Sequence, residues 1–282
     1  MTEPEIRELH DPERRSWDSD GPRPVRVYTW RPERTTAGPP PLVLLSHGTG
    51  GSARDLGWLA EPLTDAGYLV AGCDHHGNNY LDGYLPEGFT CGWERPRDLS
   101  FVLDRLTRRE EFGPVGAAGF SLGGYTAAAL VGARLAPERV RAVGEGRVPL
   151  PPLPEFPDLL GALRAKYDDA ALAALLADCG ADRSDHRVRA AYLICPGIGE
   201  LVDEASLARV HRPVAVRWGG SDVHTPAEQN ALRYAEHIPG AELRPAGDEV
   251  THYQFVRDEP GAAAVRAAAG QDVLAFFRRR LG

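Results

Sequence analysis

Val115-Gly116-Ala117-Ala118-Gly119-Phe120-Ser121-Leu122-Gly123-Gly124-Tyr125-Thr126-Ala127-Ala128-Ala129-Leu130 is the stretch on which the reading of this chain turns. Its first residues, Val115 to Ala118, form a strand-like run, and Tyr125 to Leu130 is a good helix former. Between them lies a G-x-S-x-G pentapeptide, Gly119 to Gly123. A strand, a tight turn and a helix are the context that gives this motif chemical meaning, because the strained turn holds the serine hydroxyl clear of the backbone. Gly119, Gly123 and Gly124 let strand and helix approach closely. Ser121 is therefore the candidate nucleophile.

A serine hydroxyl is barely ionised at neutral pH, so it needs a base, and the oxyanion it creates needs hydrogen-bond donors. Downstream, Val214-Ala215-Val216-Arg217-Trp218-Gly219-Gly220-Ser221-Asp222 is a β-branched run ending in a glycine turn and an acid. His252 follows 30 residues later. Nucleophile, acid, base is one of the chain orders in which a triad is strung, so Asp222 and His252 are expected to complete it. Glu200 and Asp203, after the preceding strand, are rival acids, and His224 is a rival base. Upstream, Pro41 to Ser46 reads as a buried strand running into His47-Gly48-Thr49-Gly50-Gly51. The backbone N–H groups of Thr49 and Leu122 are the expected oxyanion donors. His47 is expected to brace that turn. His47, Asp74, Asn78 and Tyr80 are the candidate substrate-binding residues.

Strand-like and helix-like segments alternate around these motifs. Asp55 to Ala66 and Pro96 to Arg108 read as helices, and Tyr68 to Cys73 as a strand. Such alternation implies an α/β architecture with a mostly parallel central sheet flanked by helices, whose sites gather at the carboxyl ends of strands. His47, Asp74, Ser121 and Asp222 all follow predicted strands. Ile6 to His10 and Pro24 to Trp30 predict an antiparallel ribbon, separated by the polar stretch Asp11 to Gly21. The rhythm breaks at residues 145–187. Val148 to Pro157 is too proline-rich for a helix interior or a central strand, and Leu159 to Ala177 reads as one or two helices. This segment is expected to be a lid insertion within a single domain, 1–282; the alternative is a peripheral excursion away from substrate.

A chain of 282 residues with 43% hydrophobic and 26% charged residues suits one soluble domain that buries roughly three quarters of its unfolded surface. The formal net charge of −8 argues against nucleic acid or an anionic membrane as partner. No stretch approaches the apolar length of a membrane span. The acidic start, Met1 to Glu5, lacks the apolar core of a leader, so a cytoplasmic location is expected. The four cysteines form no C-x-x-C pair. Cys73 and Cys195 read as buried apolar residues, with a Cys73–Cys91 bridge as an alternative. His75-His76 lacks a matching carboxylate-histidine spacing, so no metal and no cofactor are expected. Oligomeric state is not legible.

Taken together, these motifs resemble the α/β hydrolases grouped as predicted dienelactone hydrolases, similar to platelet-activating-factor acetylhydrolases and bacterial polyester hydrolases. Leu9 to Arg14 with Arg23 to Pro32 resembles their opening ribbon, Ser46 to Gly51 their oxyanion turn, and Trp93 to Asp98 the start of their following helix. Asp74-His75-His76-Gly77-Asn78 resembles their Asp-His-Pro-Gly-Asn loop, with His76 in place of proline. The resemblance covers about residues 8 to 136 and 187 to 256, and leaves the insertion unexplained. It implies an α/β-hydrolase fold and a serine hydrolase that cleaves a small-molecule ester or lactone. Dienelactone hydrolases carry cysteine where this chain has Ser121, which turns the expectation from dienelactones towards other esters. A peptidase, thioesterase, acyltransferase or cyclase on the same scaffold is the alternative.

Overall fold

The computed structural model describes residues 3–33, 38–148 and 153–282. Its strands are β1 (Glu5–Arg15), β2 (Pro22–Trp30), β3 (Leu42–Ser46), β4 (Leu69–Asp74), β5 (Asn78–Asn79), β6 (Gly83–Tyr84), β7 (Val115–Phe120), β8 (Val188–Ile194), β9 (Val214–Trp218) and β10 (Glu242–Pro245). Its helices are α1 (Gly57–Asp65), α2 (Pro86–Thr90), α3 (Arg95–Thr107), α4 (Leu122–Leu130), α5 (Pro137–Gly144), α6 (Leu159–Lys166), α7 (Asp169–Leu176), α8 (Glu204–Leu207), α9 (Ala231–His237) and α10 (Ala262–Leu281). Eight strands form one sheet in the order β1-β2-β4-β3-β7-β8-β9-β10. The β1-β2 and β2-β4 pairs are antiparallel, and every pair from β4 to β10 is parallel.

The parallel strands read as unbroken apolar runs because both of their faces are covered. In β3, Leu42 and Leu44 point into one hydrophobic cluster and Val43 and Leu45 into the other. Successive side chains of a strand must face opposite ways, so this five-residue strand is buried along its whole length. Leu99, Val102 and Leu103 of α3 pack with the first cluster. Leu59 and Leu63 of α1 pack with the second, as do Phe276 and Phe277 of α10.

Several elements differ from the sequence expectation. β1 continues to Arg15, through residues that read as a polar connection. Two of the charges there are paired and buried: Arg14 Nε lies 2.6 Å from Asp11 Oδ2, and Arg14 Nη2 lies 2.6 Å from Asp98 Oδ1 on α3. The segment expected as one helix from Asp55 is a 3₁₀ turn at Ala53–Leu56 followed by α1. α10 had no counterpart in the sequence reading. Its Phe277 crosses the sheet at Gly116, where an added Cβ would sit 2.5 Å from the ring. The insertion carries two helices, α6 and α7, because Asp168 starts a new helix by accepting a hydrogen bond from Ala171 N at 2.8 Å. Residues 149–152 of its proline-rich run lie outside the described residues. All four cysteines are free and buried, so the alternative Cys73–Cys91 bridge is not formed. Among the described residues no helix is long and apolar enough to cross a membrane.

Candidate active site

Ser121 follows β7 directly and has φ 56° and ψ −122°. A positive φ is uncommon for a side-chain-bearing residue and costs of order 1–3 kcal/mol, so it persists only where neighbours impose it. Here they do. Ser121 N donates to Ile194 O at 2.9 Å, and Ser121 O accepts from Gly124 N at 2.8 Å and Gly197 N at 3.0 Å. Two motif glycines are required by contact. A Cβ on Gly119 would lie 2.0 Å from Gly123 O, and one on Gly123 would lie 2.0 Å from Ser46 O.

Beyond β9, Asp222 Oδ2 lies 2.7 Å from His252 Nδ1. The same carboxylate accepts from His224 N at 3.0 Å and Thr225 N at 2.8 Å through Oδ1, and from the Thr225 hydroxyl at 2.7 Å through Oδ2. Burial works to raise the Asp222 carboxyl, but the His252 contact and the Thr225 donors override it and hold the acid below its ordinary range. An ionised Asp222 assigns the Nδ1 proton to His252 and leaves Nε2 as the basic nitrogen. The His252 ring packs on Phe120, with centroids 4.6 Å apart, beside the elbow. The acid loop reaches the same place, since a Cβ on Gly197 would lie 3.6 Å from Ser121 C and 3.7 Å from Thr225 Cγ2. Ser121 Oγ makes no hydrogen bond to His252 among the described residues.

The turn after β3 closes the other side. A Cβ on Gly48 would lie 3.2 Å from Ser121 Cβ. The Gly50 N–H donates to Asn78 Oδ1 at 2.6 Å, and Gly51 N donates to Gly48 O at 3.3 Å. Leu122 opens α4, where backbone N–H groups have no partner within the helix. Neither Thr49 N nor Leu122 N is paired among the described residues.

The sequence matches no protein-family model and no curated protein. Solved structures do match. Acylaminoacyl peptidase from Pyrococcus horikoshii superposes with a TM-score of 0.62 at 14% identity over 100% of this chain. This chain spans only 42% of that protein's length. An α/β serine hydrolase homologue from Coxiella burnetii gives a TM-score of 0.58 at 14% identity, covering 95% of this chain and 96% of that one. An α/β serine hydrolase without lid from Xanthomonas campestris gives 0.57 at 16% identity, with 98% and 96% covered.

The fold is that of the α/β hydrolases. Its strand ends bring Ser121, Asp222, His252 and the Thr49 turn to one edge. The rival acids of the sequence reading have other positions. Asp203 caps α8, accepting from Ala205 N and Ser206 N at 3.1 Å each. Glu200 is exposed in a 3₁₀ turn. His224 is exposed and stacks on Tyr253, its ring 5.6 Å from that of His252.

The candidate substrate-binding residues divide. Tyr80 is half exposed and donates to Asp55 Oδ1 at 2.9 Å. The other three are buried and bonded within the protein. Asp74 accepts from the Ser52 hydroxyl at 2.7 Å, Ala53 N at 2.9 Å and the Tyr28 hydroxyl at 2.8 Å. Asn78 clamps the turn after β3 through Gly50 and donates to Gly88 O at 2.9 Å. His47 accepts from His75 N at 3.1 Å, and its Nδ1 meets Gly48 O at 2.7 Å. Burial, reinforced by Arg95 and His75, pushes the His47 imidazole well below its usual range, so it is neutral with the proton on Nδ1.

Behind His47 lies a second set of the same residue types. Ser46 Oγ lies 2.9 Å from His75 Nε2, and His75 Nδ1 lies 2.7 Å from Asp98 Oδ2. Burial, with help from Arg95, lowers His75 to about 4. Burial works to raise Asp98, but Arg14 and the His75 hydrogen bond hold it well below the carboxylate range. Arg95 is buried and donates to His47 O through Nη2. The sequence reading passed over this set, although the resemblance had already singled out Ser46, His75 and Asp98 inside its motifs. It also missed Thr225, for which a hydroxyl three residues beyond the acid was the available signal.

Cys195, Asp222 and His252 place ligand-type atoms within 4.8 Å of one another. Asp222 and His252 are already bonded to each other. Burial and the Asp222 charge push the Cys195 thiol well above its usual range.

Proposed function

We propose that this chain is a serine hydrolase that cleaves a carboxylic ester or lactone through an acyl-enzyme. The observation that carries this reading is the left-handed backbone of Ser121, a non-glycine residue held in strain where the hydroxyl is presented. Ser121 Oγ attacks the carbonyl carbon while His252 Nε2 takes its proton and then delivers it to the leaving alcohol. Asp222 keeps the imidazole in the required tautomer and stabilises the imidazolium. The Thr49 and Leu122 N–H groups receive the oxyanion, a contribution of about 3–4 kcal/mol per donor. Water, deprotonated by the same histidine, releases the acid. The Ser121–His252 hydrogen bond forms when substrate fills the site, since catalytic hydrogen bonds are often completed only in the substrate complex.

The resemblance to the dienelactone hydrolase and platelet-activating-factor acetylhydrolase group favours esters, and Ser121 in place of cysteine argues against dienelactones. Amide cleavage is the second reading, favoured by the peptidase among the structural neighbours. Residues 145–187 form the cap of the site in this reading. In support, Glu155 packs on Gly50 of the oxyanion turn, and the Phe156 ring lies 5.2 Å from Phe89 on α2. Lys166 Nζ also lies 2.5 Å from Glu87 Oε1. A fluorophosphonate probe is expected to label Ser121, read by peptide mass spectrometry, and to leave Ser121→Ala unlabelled. Folded protein that neither takes the label nor turns over p-nitrophenyl esters would sink the reading.

A further inference from the structure

Glu155 occupies a defined place on the rim. Its Cγ and Cβ would lie 2.7 and 3.2 Å from a Cβ on Gly50, whose φ is +67°. Gly50 stands two residues from Gly48, which itself borders Ser121 Cβ. The segment is pinned by aromatic contacts: Phe156 on Phe89, and Phe89 on Tyr84 with centroids 5.1 Å apart. Tyr84 in turn donates its hydroxyl to Gly50 O at 3.1 Å.

The Glu155 carboxylate is unpaired among the described residues, where it makes no hydrogen bond and no ion pair, and the cation on its base side, Arg257, is held on the Tyr253 ring. Other glutamates of this protein are heavily paired: Glu94 with Arg23 and Arg97, Glu204 with Arg139 and Arg233, Glu242 with three arginines. On the turn side the group facing Glu155 is Tyr84, whose hydroxyl would lie 3.0 Å from the same Cβ on Gly50, with Asp55 beyond it against Gly51. On the base side it is Tyr253, whose ring also carries His224 and the Arg257 guanidinium, the latter at 3.6 Å. Burial first, and then the Glu155 charge, raise the hydroxyls of both Tyr84 and Tyr253. Those two tyrosines stand on opposite walls, one beside the oxyanion turn and one next to His252.

We propose that Glu155 selects substrates bearing a protonated amine close to the scissile carbonyl, such as amino-acid esters with a free α-amine. The inference rests on the hydrolase reading above and names a substrate class for that same site. A carboxylate left without a partner at the mouth of a site lowers the free energy of a cation that docks beside it and raises that of an anion.

The test compares kcat/KM for an amino-acid p-nitrophenyl ester with that for its N-acetyl derivative, with p-nitrophenyl acetate as the neutral reference. Wild type is expected to prefer the free amine, and Glu155→Gln to reduce that preference by about fivefold, the scale of a partly exposed charge pair. Glu155→Lys is expected to reverse it, each preference being taken as a ratio to the same variant's own turnover of p-nitrophenyl acetate. The preference should also fade as pH rises through the ordinary α-amine range, about 7.7–8.0. An unchanged ratio in Glu155→Gln overturns the inference and leaves the hydrolase reading standing. No turnover of any ester, together with no fluorophosphonate labelling, removes both.

Discussion

Ser46, His75 and Asp98 in one place, and Ser121, His252 and Asp222 in another, bring the same three side chains together about two strands of one sheet. In both, the histidine Nδ1 lies 2.7 Å from a carboxylate oxygen. The inner set goes on to close its last link, with Ser46 Oγ at 2.9 Å from Nε2 and with serine, imidazole and carboxylate all buried. Ser46 ends a strand whose every residue is covered, so its hydroxyl has nowhere to go. Ser121 stands off its strand on a strained turn, and His252 Nε2 has no partner among the described residues. The difference teaches that residue type and hydrogen-bond distance do not make a nucleophile. What matters in the proposed mechanism is an imidazole nitrogen left available and a serine held where a carbonyl can reach it. The inner set ties β3, β4 and α3 together behind His47 and so holds the turn that carries Thr49.

Exchanging roles between the two sets is the sharpest way to break this comparison. Ser121→Ala is expected to lower kcat on a p-nitrophenyl ester by roughly a millionfold with the thermal midpoint unchanged. Ser46→Ala is expected to do the opposite, leaving most of the activity but lowering stability by about 1–3 kcal/mol, because His75 Nε2 loses its donor in a buried site. A Ser46→Ala protein as inactive as Ser121→Ala would erase the distinction. Next in size, Asp222→Asn should lower kcat roughly ten-thousandfold by reversing the His252 tautomer, measured by the same assay on protein whose circular dichroism is native.

The last effect is on stability alone and belongs to the inner set. His75 is lowered from 6.5 to about 4 by burial, and His47 is lowered as well. Between those two pH values the unfolded chain binds protons that the folded chain refuses, so stability must fall as pH drops through this window. For His75 alone the loss amounts to about 3 kcal/mol from pH 6.5 to pH 4. Urea midpoints taken across that range read it directly, and a flat profile would show that the inner imidazole is not held neutral.

Much of this was legible in the sequence because it rests on local rules. The Leu42 to Ser46 and Val115 to Phe120 strands announce themselves as apolar runs covered on both faces. The elbow announces itself as glycines at fixed offsets, and the structure gives the reason, a 2.0 Å contact that no Cβ could survive. β10 and α10 were not legible. Glu242 to Pro245 is short and polar at the sheet edge. The apolar residues of α10 are diluted by alanine and arginine and gain meaning only when Phe276 and Phe277 meet the underside of the sheet. Asp11 and Arg14 read as loop because a charge looks solvated until its partner, here Asp98, arrives from 84 residues away in the case of Arg14.

By itself, then, the sequence determined the alternation of strands and helices and the order of the candidate nucleophile, acid and base, since periodicity, turn chemistry and motif spacing are properties of neighbours along the chain. Only the tertiary structure decided which of two serines is free, that Thr225 steadies Asp222, and that Glu155 overhangs Gly50. Those facts depend on burial and on contacts between residues distant in sequence, and a hydroxyl's reactivity is set by what surrounds it in space.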